Sequence, residues 1–440
     1  MLAGRSLPIA LSSTAMFATW FGSETVFGAS SQFLKDGLYG VIEDPFGAAL
    51  CLTLFGMFYA RKLYGMNLLT LGDFFKARFD KRTELVASIF LAPPYIGYIA
   101  AQLVAMGLIL NVVTGLVLWQ SVVISAVVVT IYTYIGGMWA ITITDFVQTI
   151  IIIGGLLVVA FILGEKAGGF TSVMAQVPEK DFRFLPAFSF KEIVTYIAAW
   201  SVLGLGSIPS QDVFQRSMSS NSVKTAVRSC YIAAIMYLSI AMLPLFISIC
   251  TRYLYPDQMQ GDAQLMLPKM VLAHANLPVQ ILFFGSLVSA IMSTTSSAIL
   301  APAAIFSENL VKPLARHLFS DRQFLVLTRI SVLIFSVLAT VMACLRSNIY
   351  ELVGESSILS LVSLFAPMTF GLYWKKTSSA GALLGMVLGM LTWIIFEACD
   401  TDWPSLVPAT IVSILAVVGG SLAWPRTENH HDQNRAQPVE

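Results

Sequence analysis

Runs of about 20 apolar residues recur along this chain, and that is the length a helix needs to cross the hydrocarbon of a bilayer. Twelve such runs lie near 8–32, 44–62, 84–112, 117–135, 143–164, 190–209, 229–251, 277–305, 324–345, 350–373, 378–398 and 404–424. Within lipid every backbone polar group must be bonded inside the protein, which leaves helices and closed barrels. Unbroken apolar runs, rather than alternating ones, select helices. The expected class is therefore an all-α polytopic membrane protein with about 12 transmembrane helices. Composition agrees: 12% of the 440 residues are charged, about half the share of a soluble domain. Residues 1–424 are expected to form one transmembrane domain. Residues 425–440 form a short polar tail, too short for a folded output domain.

Basic residues set the orientation. The loop 60–83 carries Arg61, Lys62, Lys76, Arg78, Lys81 and Arg82, which makes it cytoplasmic by the positive-inside rule. Alternation then places 18 Lys and Arg inside and 8 outside, of 26 in all, with both termini inside. The expected location is the cytoplasmic (inner) or plasma membrane. A net charge of +1 without a basic block gives no reason to expect nucleic acid. The partner expected on these grounds is the bilayer. Five scattered cysteines, and histidines placed only in loops and tail, offer no metal framework and no nucleophile–base pair within the spans. Neither an enzyme nor an organic cofactor is expected. The outer loop 253–276 contains LMLPKMVLAHA, which reads as a short amphipathic cap.

Two spans are interrupted. The first reads FATWFGSETVFGASS, with Gly22, Ser23, Glu24 and Gly28 at mid-run. An ionisable residue at that depth faces a cavity or a partner by default. The sixth reads AAWSVLGLGSIPSQDVFQR, with Gly204, Gly206 and Pro209 at the break and Ser210, Gln211 and Asp212 just beyond it. Corresponding breaks in two halves of a transporter are the best sequence pointer to its binding site. Five spans per repeat make spans one to five (about 8–164) and six to ten (about 190–373) an inverted pair, with peripheral helices at about 378–424. The eighth span carries Ser286, Ser289, Ser293, Ser296 and Ser297 at helical spacing, with Thr294 and Thr295 beside them. Such a stripe is either a small-residue packing face or a source of hydroxyl oxygens for a hard cation. Asp145, in YTYIGGMWAITITDFVQ, is either an acid favoured at a helix N-terminus or a cation way-station.

The segments AGRSLP, ATWFGSETVFG, YTYIGGMWAITITDFVQ, SIPSQDVFQR and SAIMSTTSSAIL, in this order, resemble the sodium:solute symporter family. The resemblance implies a leucine-transporter-type 5+5 inverted repeat, alternating access, and sodium as the coupling ion. It implies sodium ligands at the backbone carbonyls of Ala18, Phe21 and Ala290 and the hydroxyls of Ser293 and Thr294, with Asp145 on the ion's exit path. Local text is nearest the choline-transporter-like branch, which places substrate-facing aromatics at Trp20 and Tyr98. Ser210 stands where that branch has a second tryptophan, removing one wall of a cation–π cage. Glu24 and Asp212 appear where the branch is uncharged. The expected substrate is a cationic or zwitterionic amine bound among Trp20, Glu24, Tyr98, Ser210, Gln211 and Asp212. Members of the family usually carry one more helix ahead of the GRSLP segment, which here almost abuts Met1. Two rival functions are a solute sensor acting through a separate partner and a proton-coupled symporter using Glu24 or Asp212.

Overall fold

The computed structural model describes residues 3–135, 138–256, 261–314, 320–399 and 401–425, and among these the regular elements are helices, with one isolated backbone bridge between Leu7 and Ser220. The first span is α1 (Ile9–Trp20), which ends at an unwound Phe21–Gly22; a wide π-helical turn, Glu24–Gly28, then leads into α2 (Ala29–Asp36). The second comprises α3 (Ala48–Leu54), a π-helical turn and α4 (Ala60–Gly65). A hairpin follows, α5 (Leu71–Arg78) and α6 (Lys81–Leu91). Then come α7 (Pro93–Thr114), α8 (Leu118–Ile135) and α9 (Met138–Lys166). The short α10 (Phe170–Ala175) lies in the long loop that follows α9.

The second half begins with α11 (Phe190–Gly206) and α12 (Gln211–Met218), which are bent by 47° across the break. It continues through α13 (Val223–Leu254), α14 (Met266–His274), α15 (Leu277–Ile305), the short α16 (Lys312–Leu314), α17 (Asp321–Leu345), α18 (Ile349–Ser360) and α19 (Ala366–Tyr373). The hairpin α20 (Ser379–Ala398) and α21 (Leu406–Ala423) closes the chain.

Among the described residues nine helices are long and apolar enough to cross a membrane, and the bent α11–α12 pair makes a tenth. The first and fourth expected spans appear as shorter apolar helices, Ile9–Trp20 and Leu118–Tyr134. The first is short because its run is broken at Phe21, and the remainder joins the helical stretch Glu24–Gly65. The expected amphipathic cap is α14, which buries Met266, Leu267, Met270 and Val271.

Local sequence explains the element boundaries. Ser189, Ser222, Asn276, Asn348 and Ser378 each accept a backbone amide hydrogen bond at the start of α11, α13, α15, α18 and α20, satisfying donors a helix leaves orphaned. Pro93 and Pro94 open α7, and Gly115 (φ 74) closes it in the left-handed region, where glycine carries no Cβ penalty. The broken helix α1 packs against α9, α12, α13 and α15, while α11 packs against α3 and α18. Leu7 exchanges backbone hydrogen bonds with Ser219 and Asn221 (3.1 and 3.0 Å). The start of one broken span is thereby tied to the end of the other.

Candidate functional site

The two breaks face one cavity. Trp20 and Glu24 come from the first break, Ser207, Pro209, Ser210 and Asp212 from the second, and Tyr95 and Tyr98 from α7. Its volume is about 50 Å³, room for about three or four waters. A solute of amino-acid size requires these walls to separate. The break at α11 permits close packing: a Cβ on Gly206 would lie 2.4 Å from the Ser357 carbonyl oxygen of α18.

Glu24 is 3% exposed and accepts hydrogen bonds from Gln102 Nε2 (2.8 Å), Tyr98 Oη (3.2 Å) and Ser23 Oγ (3.3 Å). Asp212, also buried, accepts from Tyr95 Oη (2.8 Å) and from the Trp20 indole N–H (3.1 Å). Each of these acids joins one break to α7, and Asp212 joins the two breaks through Trp20. Ser210 lines the cavity, its hydroxyl donating to the Ser207 carbonyl. Gln211 lies away from the cavity: its side-chain oxygen accepts from the Leu71 amide of α5 (2.7 Å).

Sequence reasoning missed a third carboxylate, Asp44. It lines the cavity, is 1% exposed, and accepts from Tyr237 Oη of α13 (2.7 Å) through Oδ1, while its Oδ2 has no hydrogen-bond partner among the described residues. Pro45 explains its reach. A residue before proline is pushed out of the helical region, and Asp44 is extended (φ −139, ψ 124), so its side chain enters the interior. The signal was the EDP triplet heading the second apolar run, which reads equally well as interfacial charge. Tyr237 carried no signal. Its hydroxyl touches Thr25 Oγ1 (2.6 Å), Asp44 Oδ1 and the Trp20 carbonyl (3.2 Å). With one hydrogen and two acceptors to serve, it links the acid to the backbone of the α1 break. Its ring also stands edge-on to Phe17 and Phe21 at 6.1 and 5.8 Å.

The ion-binding candidates lie one turn along α1. Thr294 Oγ1 of α15 donates to the Ala18 carbonyl (2.8 Å), and Ser293 donates to Asp145 of α9. Ala290, Ser293 and Thr294 are buried, and Phe21 follows the last turn of α1. The structure thus brings α1, α9 and α15 together at hard oxygen atoms. The serine stripe divides in two. Ser286, Thr295 and Ser296 donate back to carbonyls of their own helix, whereas Ser293, Thr294 and Ser297 reach other elements.

Arg216 is the third residue missed. Counted from sequence as an inner-surface basic residue, it is buried instead, its side chain 3% exposed. Its guanidinium donates to Thr19 Oγ1 (3.2 Å) and to Ser297, and one nitrogen lies 3.1 Å from Asp145 Oδ2. That nitrogen does not aim its hydrogen at Oδ2, so the contact is ionic rather than a formed hydrogen bond. Asp145 is therefore held by a resident cation and a hydroxyl.

The sodium:solute symporter family profile matches residues 1–389. The high affinity choline transporter 1 of Homo sapiens is 30% identical over 409 residues, covering 89% of this chain and 69% of that protein. The high-affinity proline transporter of Bacillus subtilis (strain 168) is 27% identical over 445 residues, covering 95% and 90%. Among solved structures, a Na+-coupled sialic acid symporter in a substrate-bound outward-open state matches with TM-score 0.83 at 19% identity, over 97% of this chain and 92% of that one. A nucleobase-cation-symport-1 family transporter in a closed conformation matches with TM-score 0.61 at 13% identity, over 96% and 93%. The fold is the leucine-transporter type.

Proposed function

The chain belongs to the sodium:solute symporter family, and from that premise we propose that it is a sodium-coupled secondary active symporter importing a small cationic or zwitterionic amine. The observation that carries the reading is the cavity between two broken helices, lined by Glu24, Asp44 and Asp212 and by no described Lys, Arg or His. Buried carboxylates without a basic partner favour a positively charged ligand. Trp20, Glu24, Tyr98, Ser210 and Asp212 serve as substrate contacts. Gln211 acts one step behind them, by fixing the start of α12 against α5.

Sodium binds to the carbonyls of Ala18, Phe21 and Ala290 and the hydroxyls of Ser293 and Thr294. These are neutral oxygen donors, a set suited to a hard monovalent cation. Asp145 receives the ion on its way in. Repeats of about 8–164 and 190–373 rock against each other, with α20 and α21 peripheral and both termini in the cytoplasm. One charge crossing about 100 mV releases about 2.3 kcal/mol. A tenfold sodium gradient adds about 1.4 kcal/mol. Together these support roughly 500-fold accumulation of a zwitterion.

The test is uptake into proteoliposomes of radiolabelled choline, betaine, proline, basic amino acids and sugars, with sodium or potassium outside. Sodium-dependent uptake of an amine is expected. Stabilisation by a ligand without flux makes the protein a sensor. Uptake that ignores sodium but collapses with the pH gradient makes it proton-coupled.

A further inference from the structure

Resting on the amine reading above, we propose that Asp44 is the carboxylate that receives the substrate's nitrogen, and that the site selects an ammonium carrying N–H over a quaternary ammonium. The three cavity acids differ in what they still require. Both oxygens of Asp212 already accept, from Tyr95 and from Trp20. Glu24 Oε2 accepts from Gln102 and Ser23, and its Oε1 shares the single Tyr98 hydrogen with the Thr19 carbonyl, at 3.2 against 2.9 Å. Asp44 has its Oδ1 on Tyr237 and its Oδ2 buried without a donor among the described residues.

A buried acceptor left unmade carries its full desolvation cost, and the cost is greater for a charged group. Water can satisfy the oxygen while the cavity holds no solute, and a ligand that displaces the water must donate a hydrogen bond in its place. A primary or secondary ammonium supplies charge and donor in one atom. A trimethylammonium supplies charge alone and is recognised instead by the faces of aromatic rings. The polar edges of the aromatic groups are already committed, the Trp20 indole N–H and the Tyr95 hydroxyl to Asp212 and the single Tyr98 hydrogen to the Thr19 carbonyl (2.9 Å) or Glu24 (3.2 Å), so these rings can offer a quaternary ammonium their faces but supply no donor to the open oxygen of Asp44. Across the cavity stand hydroxyls of α18, including Ser357, which is 3.1 Å from Ser207 Oγ, and these can accept a second N–H. Asp44 also reports to the backbone. Tyr237 joins it to the Trp20 carbonyl, between Ala18 and Phe21, so occupancy at Asp44 bears on the segment that carries the ion's carbonyls.

The experiment measures thermal stabilisation of the purified full-length protein, in sodium, by matched pairs that differ only in N-methylation: ethanolamine and choline, glycine and glycine betaine, lysine and its Nε-trimethyl form. The N–H member of at least one pair is expected to act at a tenfold or more lower concentration, with partly methylated forms in between. Asp44→Asn should bring that pair within twofold, and Asp44→Glu should keep the ranking. The wild-type ranking decides the matter even if a variant fails to fold. A quaternary member that binds as well as its partner or better overturns the proposal, as does an Asp44→Asn variant with unchanged preference. If the quaternary member prevails and still shows sodium-dependent uptake, symport stands and this proposal alone falls. If no pair stabilises the protein, the amine reading falls with it.

Discussion

The contact between Arg216 and Asp145 makes a prediction whose size follows from its geometry. The two side chains are 3% and 0% exposed, and nitrogen and oxygen lie 3.1 Å apart. At an effective dielectric of about 20 their attraction is about 5 kcal/mol. The desolvation of each ion, several kcal/mol, offsets most of it. The pair as a whole therefore contributes little net stability, but removing one member strands the other. Asp145→Asn should destabilise by about 3–5 kcal/mol, because the guanidinium keeps its burial and loses its counter-charge. Arg216→Met should cost a similar amount by stranding the carboxylate. The double variant should recover part of the loss, with a coupling of about 2–3 kcal/mol. The assay is denaturant unfolding in detergent micelles, followed by tryptophan fluorescence, for the four proteins of the cycle. Single variants that each cost under about 1 kcal/mol, the range of an exposed pair, would refute the burial argument. Strict additivity would show that the two groups do not sense each other.

Three further outcomes are expected. Thr294→Ala should raise the sodium concentration for half-maximal uptake about tenfold, since one lost oxygen contact is worth about 1–1.5 kcal/mol; substrate ranking at saturating sodium should stay the same. Gly206→Ala places a Cβ 2.4 Å from the Ser357 carbonyl oxygen and should lower stability by about 1–3 kcal/mol, with a matching fall in uptake rate; an unaffected thermal midpoint would show that α11 and α18 separate freely. Asp80 begins α6 outside the membrane-spanning segments and accepts from the Thr83 amide (2.7 Å). Partial burial pushes its carboxyl up, but the hydrogen bonds from Thr83 and its neighbours outweigh that and hold it below its ordinary value. Its contribution should be present above the unfolded value of about 3.9 and vanish as pH falls through the lower folded value. Asp80→Ala should therefore cost about 1 kcal/mol at neutral pH and nothing in strong acid, as compared by denaturant midpoints.

The fold was legible because bilayer crossing imposes length and hydropathy on the sequence itself. The breaks were legible because Gly22, Gly204, Gly206 and Pro209 are exceptions within such runs, and exceptions at that depth are costly. What the chain order could not display was which side chains meet across it. Glu24 stood out as a charge at mid-run, whereas Asp44 hid at the head of a span, where acids are ordinary. Only the extended backbone imposed by Pro45 carries it inside. Arg216 hid in the same way, among basic residues that the orientation rule counts as cytoplasmic, yet it is buried against α1, α9 and α15. Gln211 misled in the opposite direction: it neighbours Asp212 in sequence, but one step along a helix is about 100° of rotation, enough to turn it from the cavity toward Leu71. Tyr237 lies in a 32-residue apolar helix with nothing to mark it, yet it touches Asp44, Thr25 and the Trp20 carbonyl. These misses share a cause. Periodicity reports what each segment does toward lipid, whereas the site consists of what segments do toward one another. In a broken-helix fold, the residues that join the breaks lie on elements whose own sequences look intact.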